Sequence, residues 1–206
     1  MYIAKTKIIL GVSMIFYATK KTFDRYKLMS FEEIDDNDCI INKADILKEH
    51  GNRLYEWAVK VFYVDGRKSL AVMNFASKLT VFIVDLKVDE VIHFVDIIVC
   101  FLNEIYKDDY DMKNVLLPKY LSETTFGAFA PLTDKSMISH INHIVSDFAW
   151  DGERFFDFIK DGIMNTKEIN RQVNFDFLVS DIIDGKRDYI FPAERFKELL
   201  TEKYMN

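Results

Sequence analysis

Glycine and proline are scarce in this chain, seven and three among 206 residues. That scarcity excludes collagen-like sequence and flexible linkers, and it predicts well-packed elements joined by short connections. No internal period is present. Only two cysteines occur, Cys39 and Cys100, too few for a disulfide framework. Cys100 falls within an apolar helical pattern, where a small buried thiol is the ordinary expectation, and a cytoplasmic location follows as the default. There is no Gly-rich phosphate loop, no Gly-x-Ser-x-Gly elbow and no Cys-x-x-Cys pair, so hydrolytic or redox catalysis has no sequence support and no cofactor is expected. A long charge-free apolar run is also missing. The most apolar later window, residues 88–105, carries Asp89, Glu90, His93, Asp96 and Glu104, which exclude a membrane span.

What is present is a core-forming composition. Half the residues are hydrophobic, with 18 Phe and 10 Tyr, and 206 residues are enough for a single domain with a substantial core. The formal net charge of −6 argues against broad binding to nucleic-acid phosphates. Charge is uneven at the start. Residues 1–30 hold six cations against Asp24, whereas residues 31–50 hold seven acids against Lys43 and Lys48 and read as an acidic exposed connection. The apolar N-terminal stretch after Lys5 and Lys7 imitates a signal peptide but lacks a small-x-small cleavage site, so it is expected to be a first strand or helix of the fold.

Turn chemistry organises the middle of the chain. Asp65-Gly66 is the dipeptide that a two-residue type I′ turn prefers, because both central residues need positive φ. It separates the apolar run 54–64 from a second strand over 69–75, and Leu79–Leu86 supplies a third. Residues 54–86 are therefore expected to form an antiparallel meander. Val88, Val91, Ile92, Val95, Ile98, Val99, Leu102 and Ile105 recur at spacings of three and four, the stripe of a long helix able to cover the sheet. A further helix is expected over 112–121, a short strand over 124–132, and a helix from an Asp134 N-cap to about Phe148. Residues 150–206 read as mainly helical, with a short strand over 188–191 and a closing helix after Pro192. The fold class is α+β.

Candidate site residues come from several patterns. His140, His143 and Asp147 share one helix face, yet their spacing is not that of a metal-binding His-Glu-x-x-His motif, and a polar helix face is the expected role. The acidic run at residues 32–38 lacks the glycine and terminal glutamate of a calcium loop. No metal site is assigned. Arg67 and Lys68, at the start of the second strand, are suited to binding a carboxylate or phosphate, with Asn74 as an orienting amide. The competing role for Asn74 is to cap the next turn. Trp57 is either core or a flat binding platform.

Thr6-Lys7, Leu54-x-x-Trp57, Arg67-Lys68 followed by Asn74, the Asn142 helix and Tyr189-x-x-Pro192 together resemble a small bacterial domain family of unknown function that is common on mobile elements. The likeness covers residues 2–10, 53–145 and 175–200. It implies that Lys7, Trp57, Arg67, Lys68, Asn74 and Asn142 belong to a shared binding site. Two departures weaken the carry-over of an active site: Ala58 stands where that pattern places a histidine, and Gly66-Arg67 replaces a double arginine. In size and composition the chain is also similar to proteins of low-GC Gram-positive bacteria and their phages, including inhibitors of type II CRISPR nucleases. That resemblance implies a non-enzymatic accessory protein that binds a host defence protein or ribonucleoprotein, namely a type II CRISPR nuclease or its guide RNA. The alternative is an enzyme acting on nucleic acid or a phosphorylated small molecule, with His140 or His143 as acid or base. Homodimerisation through an exposed sheet edge or helix is left open.

Overall fold

The structure is a computed structural model that describes residues 12–33, 51–64, 66–149, 157–160, 163–183 and 185–205. The expectations for Lys7, Cys39, Asp65 and the acidic connection from residue 34 onward fall outside them.

Five strands form one mixed sheet: β1 (Val12–Ala18), β2 (Glu56–Val64), β3 (Arg67–Asn74), β4 (Thr80–Val84) and β5 (Thr124–Pro131), in the order β4-β3-β2-β1-β5. The expected meander is β2-β3-β4. Its first reversal pairs Val64 with Arg67, and Gly66 takes the positive φ of +73° that such a turn demands. β1 lies between β2 and β5 and is parallel to both. Parallel pairs need crossover connections, and the first of these begins with α1 (Lys20–Tyr26).

Helices cover both faces of the sheet, which explains why its strands read as nearly continuous apolar runs. Trp57, Val59 and Val61 of β2 pack with Leu70 and Val72 of β3 on one face, under α2 (Phe94–Ile105), α3 (Leu117–Glu123) and α6 (Pro192–Tyr204). Ala58 and Phe62 point the other way. They join Ala71, Met73 and Phe82 under α4 (Lys135–Ala149) and α5 (Thr166–Phe175). Gly127 on β5 marks a close approach, since a Cβ there would sit 2.7 Å from both Phe16 and Val95 side-chain atoms.

Two expectations need correction. The helix expected from Val88 begins as a 3-10 segment, Asp89–His93, and becomes α-helical only at Phe94. That change of pitch rotates the stripe, so Ile92 is 83% exposed while Phe94, Ile98, Leu102 and Ile105 face the core. Cys100 lies on the outer side of the same helix and is exposed, not buried. The C-terminal third holds the expected helices, α5 and α6, and in addition short strands β6 (Ile159–Lys160) and β7 (Ile163–Met164) precede α5. A hairpin of β8 (Val179–Ile183) and β9 (Lys186–Ile190) precedes α6. Gly185, with φ +77°, turns this hairpin just as Gly66 turns the first.

Side chains complete the sheet where strands end. Thr22 of α1 accepts from the Val61 N–H at 2.9 Å and donates to the Val59 carbonyl at 3.4 Å, continuing along β2 past the end of β1. Among the described residues no helix is long and apolar enough to cross a membrane.

Candidate functional site

β2 opens with Glu56, the one acid in the run 55–64. Strand alternation places it on the same face as Ala58 and Lys60, the face that α4 covers. Its side chain is only 4% exposed. A carboxylate so buried requires partners, and they come from three directions. Tyr17, on the adjacent parallel strand, donates its hydroxyl to Glu56 Oε1 at 3.1 Å, and the Gly51 N–H donates to the same oxygen at 2.7 Å. The Arg53 Nε lies 3.8 Å from Oε2, too far for a hydrogen bond and close enough for an ion pair.

Arg53 links this carboxylate to a second one. Its Nη1 donates to Asp134 Oδ2 at 3.2 Å, and its guanidinium lies over the Phe75 ring at 4.9 Å. Asp134 has a further duty as the N-cap of α4, its Oδ1 accepting the Met137 N–H at 3.0 Å. Burial pushes the Asp134 carboxyl up, but the Met137 N–H and the Arg53 guanidinium outweigh it and hold the group below the usual aspartate range. Burial and the neighbouring Glu56 carboxylate push the Tyr17 hydroxyl well above the ordinary tyrosine value, so it remains a donor.

These groups line a cleft of about 310 Å³ with Tyr17, Phe75 and Leu132 as apolar walls and Gly51, Arg53, Glu56, Thr133 and Asp134 as polar ones. Its lining combines Tyr17 near the carboxyl end of β1, residues 132–134 just past the end of β5, where Leu132 N–H donates to the Ala18 carbonyl at 2.9 Å, and Glu56 at the amino end of β2. Farther along the same face, Lys60 Nζ donates to Asn142 Oδ1 of α4. Burial, and then repulsion from Lys21, lowers the Lys60 pKa.

The residues singled out from the sequence do not gather at one point. Arg67 and Lys68 begin β3 while Asn74 ends it, a separation of seven residues or about 23 Å along a strand. Arg67 pairs with Asp85 at 3.8 Å, and Lys68 Nζ sits 4.4 Å from the centre of the Tyr26 ring. Asn74 is fully buried and takes the turn-capping role. Its Oδ1 accepts from the N–H groups of Ala76 and Ser77 and from Ser77 Oγ, each at 3.1 Å, while its Nδ2 donates to the Leu54 carbonyl at 2.9 Å. Trp57 is 0% exposed and packs against Phe196 in the core. Asn74 nevertheless adjoins the cleft, its Nδ2 also donating to the Glu56 carbonyl at 3.3 Å, while Asn142 lies farther along the α4 face on Lys60.

His140 belongs to a different neighbourhood. Lys78 Nζ, nearly buried, donates to Asp181 Oδ2 at 3.0 Å and to the Phe75 carbonyl at 2.8 Å. Burial first, then the Lys78 ammonium, depresses the His140 pKa and keeps its ring neutral near pH 7. Among the described residues no three His, Cys, Asp or Glu side chains are placed to hold a metal ion.

Sequence reading missed Tyr17, Arg53, Glu56 and Asp134 as a group. The available signal was an isolated acid opening an apolar strand, which needs a built environment wherever it is buried. Comparison with known families gives a match over residues 15–195 to a model described as a domain of unknown function (DUF6933). No curated protein and no solved structure matches the chain.

Proposed function

We propose, from the premise that this chain belongs to the DUF6933 family, that it is a binding module docking on the basic surface of a partner macromolecule. The observation that carries this reading is the cleft itself: carboxylates from two separate elements, Glu56 and Asp134, line one space with the Tyr17 and Phe75 rings, which contact each other with centroids 5.4 Å apart. Such a combination recognises a cationic side chain. The overall charge of −6 has the sign that speeds encounter with a basic surface.

The partner we propose most concretely is a type II CRISPR RNA-guided nuclease, whose nucleic-acid channel is strongly basic. Binding there would inhibit a host defence complex, as expected of an accessory protein of a phage or mobile element. Ala58 is consistent with a binding role. It is fully buried beneath α4, beside Tyr17 in register, and presents an inert methyl group at this point of the sheet.

The test is retention of the nuclease on the immobilised protein, with and without guide RNA, together with target cleavage. Retention in either state and reduced cleavage are expected. No retention in both states with unimpaired cleavage contradicts the proposal. One observation favours the second reading, an enzyme on nucleic acid: neutral His140 beside the Lys78–Asp181 pair has the protonation state of a general base. Guide RNA shortened during incubation, and intact with His140→Ala, would support it.

A further inference from the structure

We infer that Arg53 is a displaceable internal guest, and that the ligand of the Glu56–Asp134 cleft is an arginine side chain presented by the partner. This rests on the reading of the cleft as a docking site and specifies both its occupant and its regulation. The resident guanidinium shows what the cleft accepts. It has one close contact to Asp134, at 3.2 Å, a long ion pair to Glu56, at 3.8 Å, and an aromatic face from Phe75, at 4.9 Å. More than half of the Arg53 side chain, 54%, remains exposed. An arginine held this way is weakly retained: its pair with Asp134 and its place over Phe75 are open to solvent, where such contacts add little, and its pair with the buried Glu56 is too long for a hydrogen bond.

The surrounding carboxylate is far better fixed than its guest. Glu56 Oε1 is held by the Tyr17 hydroxyl and the Gly51 N–H, which leaves Oε2 directed toward the guanidinium position at a distance that no good hydrogen bond spans. Arg53 is tethered three residues before Glu56 and is limited in how it can approach. An arginine arriving from outside has no such tether. It can lie over Phe75 and bond Glu56 and Asp134 together, through the planar donor fork that an ammonium lacks. Competition from Arg53 then sets a threshold: only a partner whose arginine enters with supporting contacts displaces the resident one.

The experiment titrates N-acetyl-arginine amide and N-acetyl-lysine amide into three proteins, followed by backbone amide NMR shifts. These are wild type, Arg53→Ala, and Arg53→Ala combined with Asp134→Asn. Asparagine caps helices as well as aspartate does, so the last variant loses charge and keeps the start of α4. Arginine amide is expected to bind Arg53→Ala about tenfold more tightly than wild type, with shifts at Gly51, Phe75 and Met137. The double variant should lose that gain, and lysine amide should bind each protein less well than arginine amide. Equal binding by wild type and Arg53→Ala, or equal binding of the two amides, overturns the inference. Failure of the nuclease to be retained while Arg53→Ala gains arginine binding would remove the proposed partner and leave the cleft assignment standing.

Discussion

Asn170 and Phe82 are joined by two hydrogen bonds: the Phe82 N–H donates to Asn170 Oδ1 at 2.6 Å, and Asn170 Nδ2 donates to the Phe82 carbonyl at 3.0 Å. One helical turn later Asn174 repeats the arrangement with Thr80, at 2.8 and 2.7 Å. Four helical residues rise about 6 Å and two strand residues about 6.6 Å, so the spacings match. Helix α5 thus supplies the hydrogen bonds that a further strand would have made along β4, and it closes an edge otherwise open to pairing with another chain.

Asn170→Ala should therefore destabilise the protein by about 2–4 kcal/mol, since it strands a buried N–H and a buried carbonyl at once. Urea unfolding measures this. A loss below about 0.5 kcal/mol would mean that β4 does not depend on the asparagine.

Gly127→Ala should cost about 1–3 kcal/mol through overpacking against Phe16 and Val95. Thermal unfolding is the measurement. A variant as stable as wild type would show that these side chains move aside freely.

The end of α6 is fastened by a polar cluster: Tyr55 and Tyr204 hydroxyls and Lys203 Nζ all converge on Glu123 Oε2, at 2.5, 2.7 and 2.7 Å. Burial raises the Glu123 pKa, but the three donors outweigh it and the carboxyl lies below its ordinary 4.5. A depressed carboxylate stabilises the fold above its unfolded pKa, and that contribution disappears as pH falls through the folded pKa. The melting temperature of Glu123→Gln should thus fall below that of wild type at pH 7, and the gap should narrow below about pH 4.5. A gap independent of pH would contradict the role of the charge.

His140 should titrate below 6.5, its ordinary value, and Lys78→Ala should raise the midpoint by removing a nearby positive charge. Imidazole NMR signals followed from pH 4 to 8 report both. An unchanged midpoint in Lys78→Ala would separate the two groups.

Turn chemistry and bounded apolar runs made the meander legible, because Asp-Gly fixes a reversal locally and strands buried on both faces read as short apolar segments on either side of it. The last of the chain's four Asp-Gly dipeptides, at residues 184–185, carried the same signal for the β8–β9 hairpin; the charged, exposed residues of β9 gave it no apolar alternation to accompany it. β1 was readable only as an apolar stretch, since parallel pairing is set by distant contacts rather than by neighbours in sequence. The same limit hid the cleft. Tyr17, Asp134 and the Arg53–Glu56 pair come from three separate segments, and only the parallel pairing of β1 with β2 and the start of α4 bring them together. Asn74 was legible in its capping role because that role is local. Its pairing with Arg67 and Lys68 failed because a strand keeps its two ends apart.

The most direct test of cationic docking is the affinity of the type II nuclease for wild type and for Asp134→Asn, measured side by side at physiological salt. Wild type is expected to bind at least about tenfold more tightly, a difference of about 1.4 kcal/mol. Binding of equal strength by the two proteins would contradict a partner held through the Glu56–Asp134 cleft.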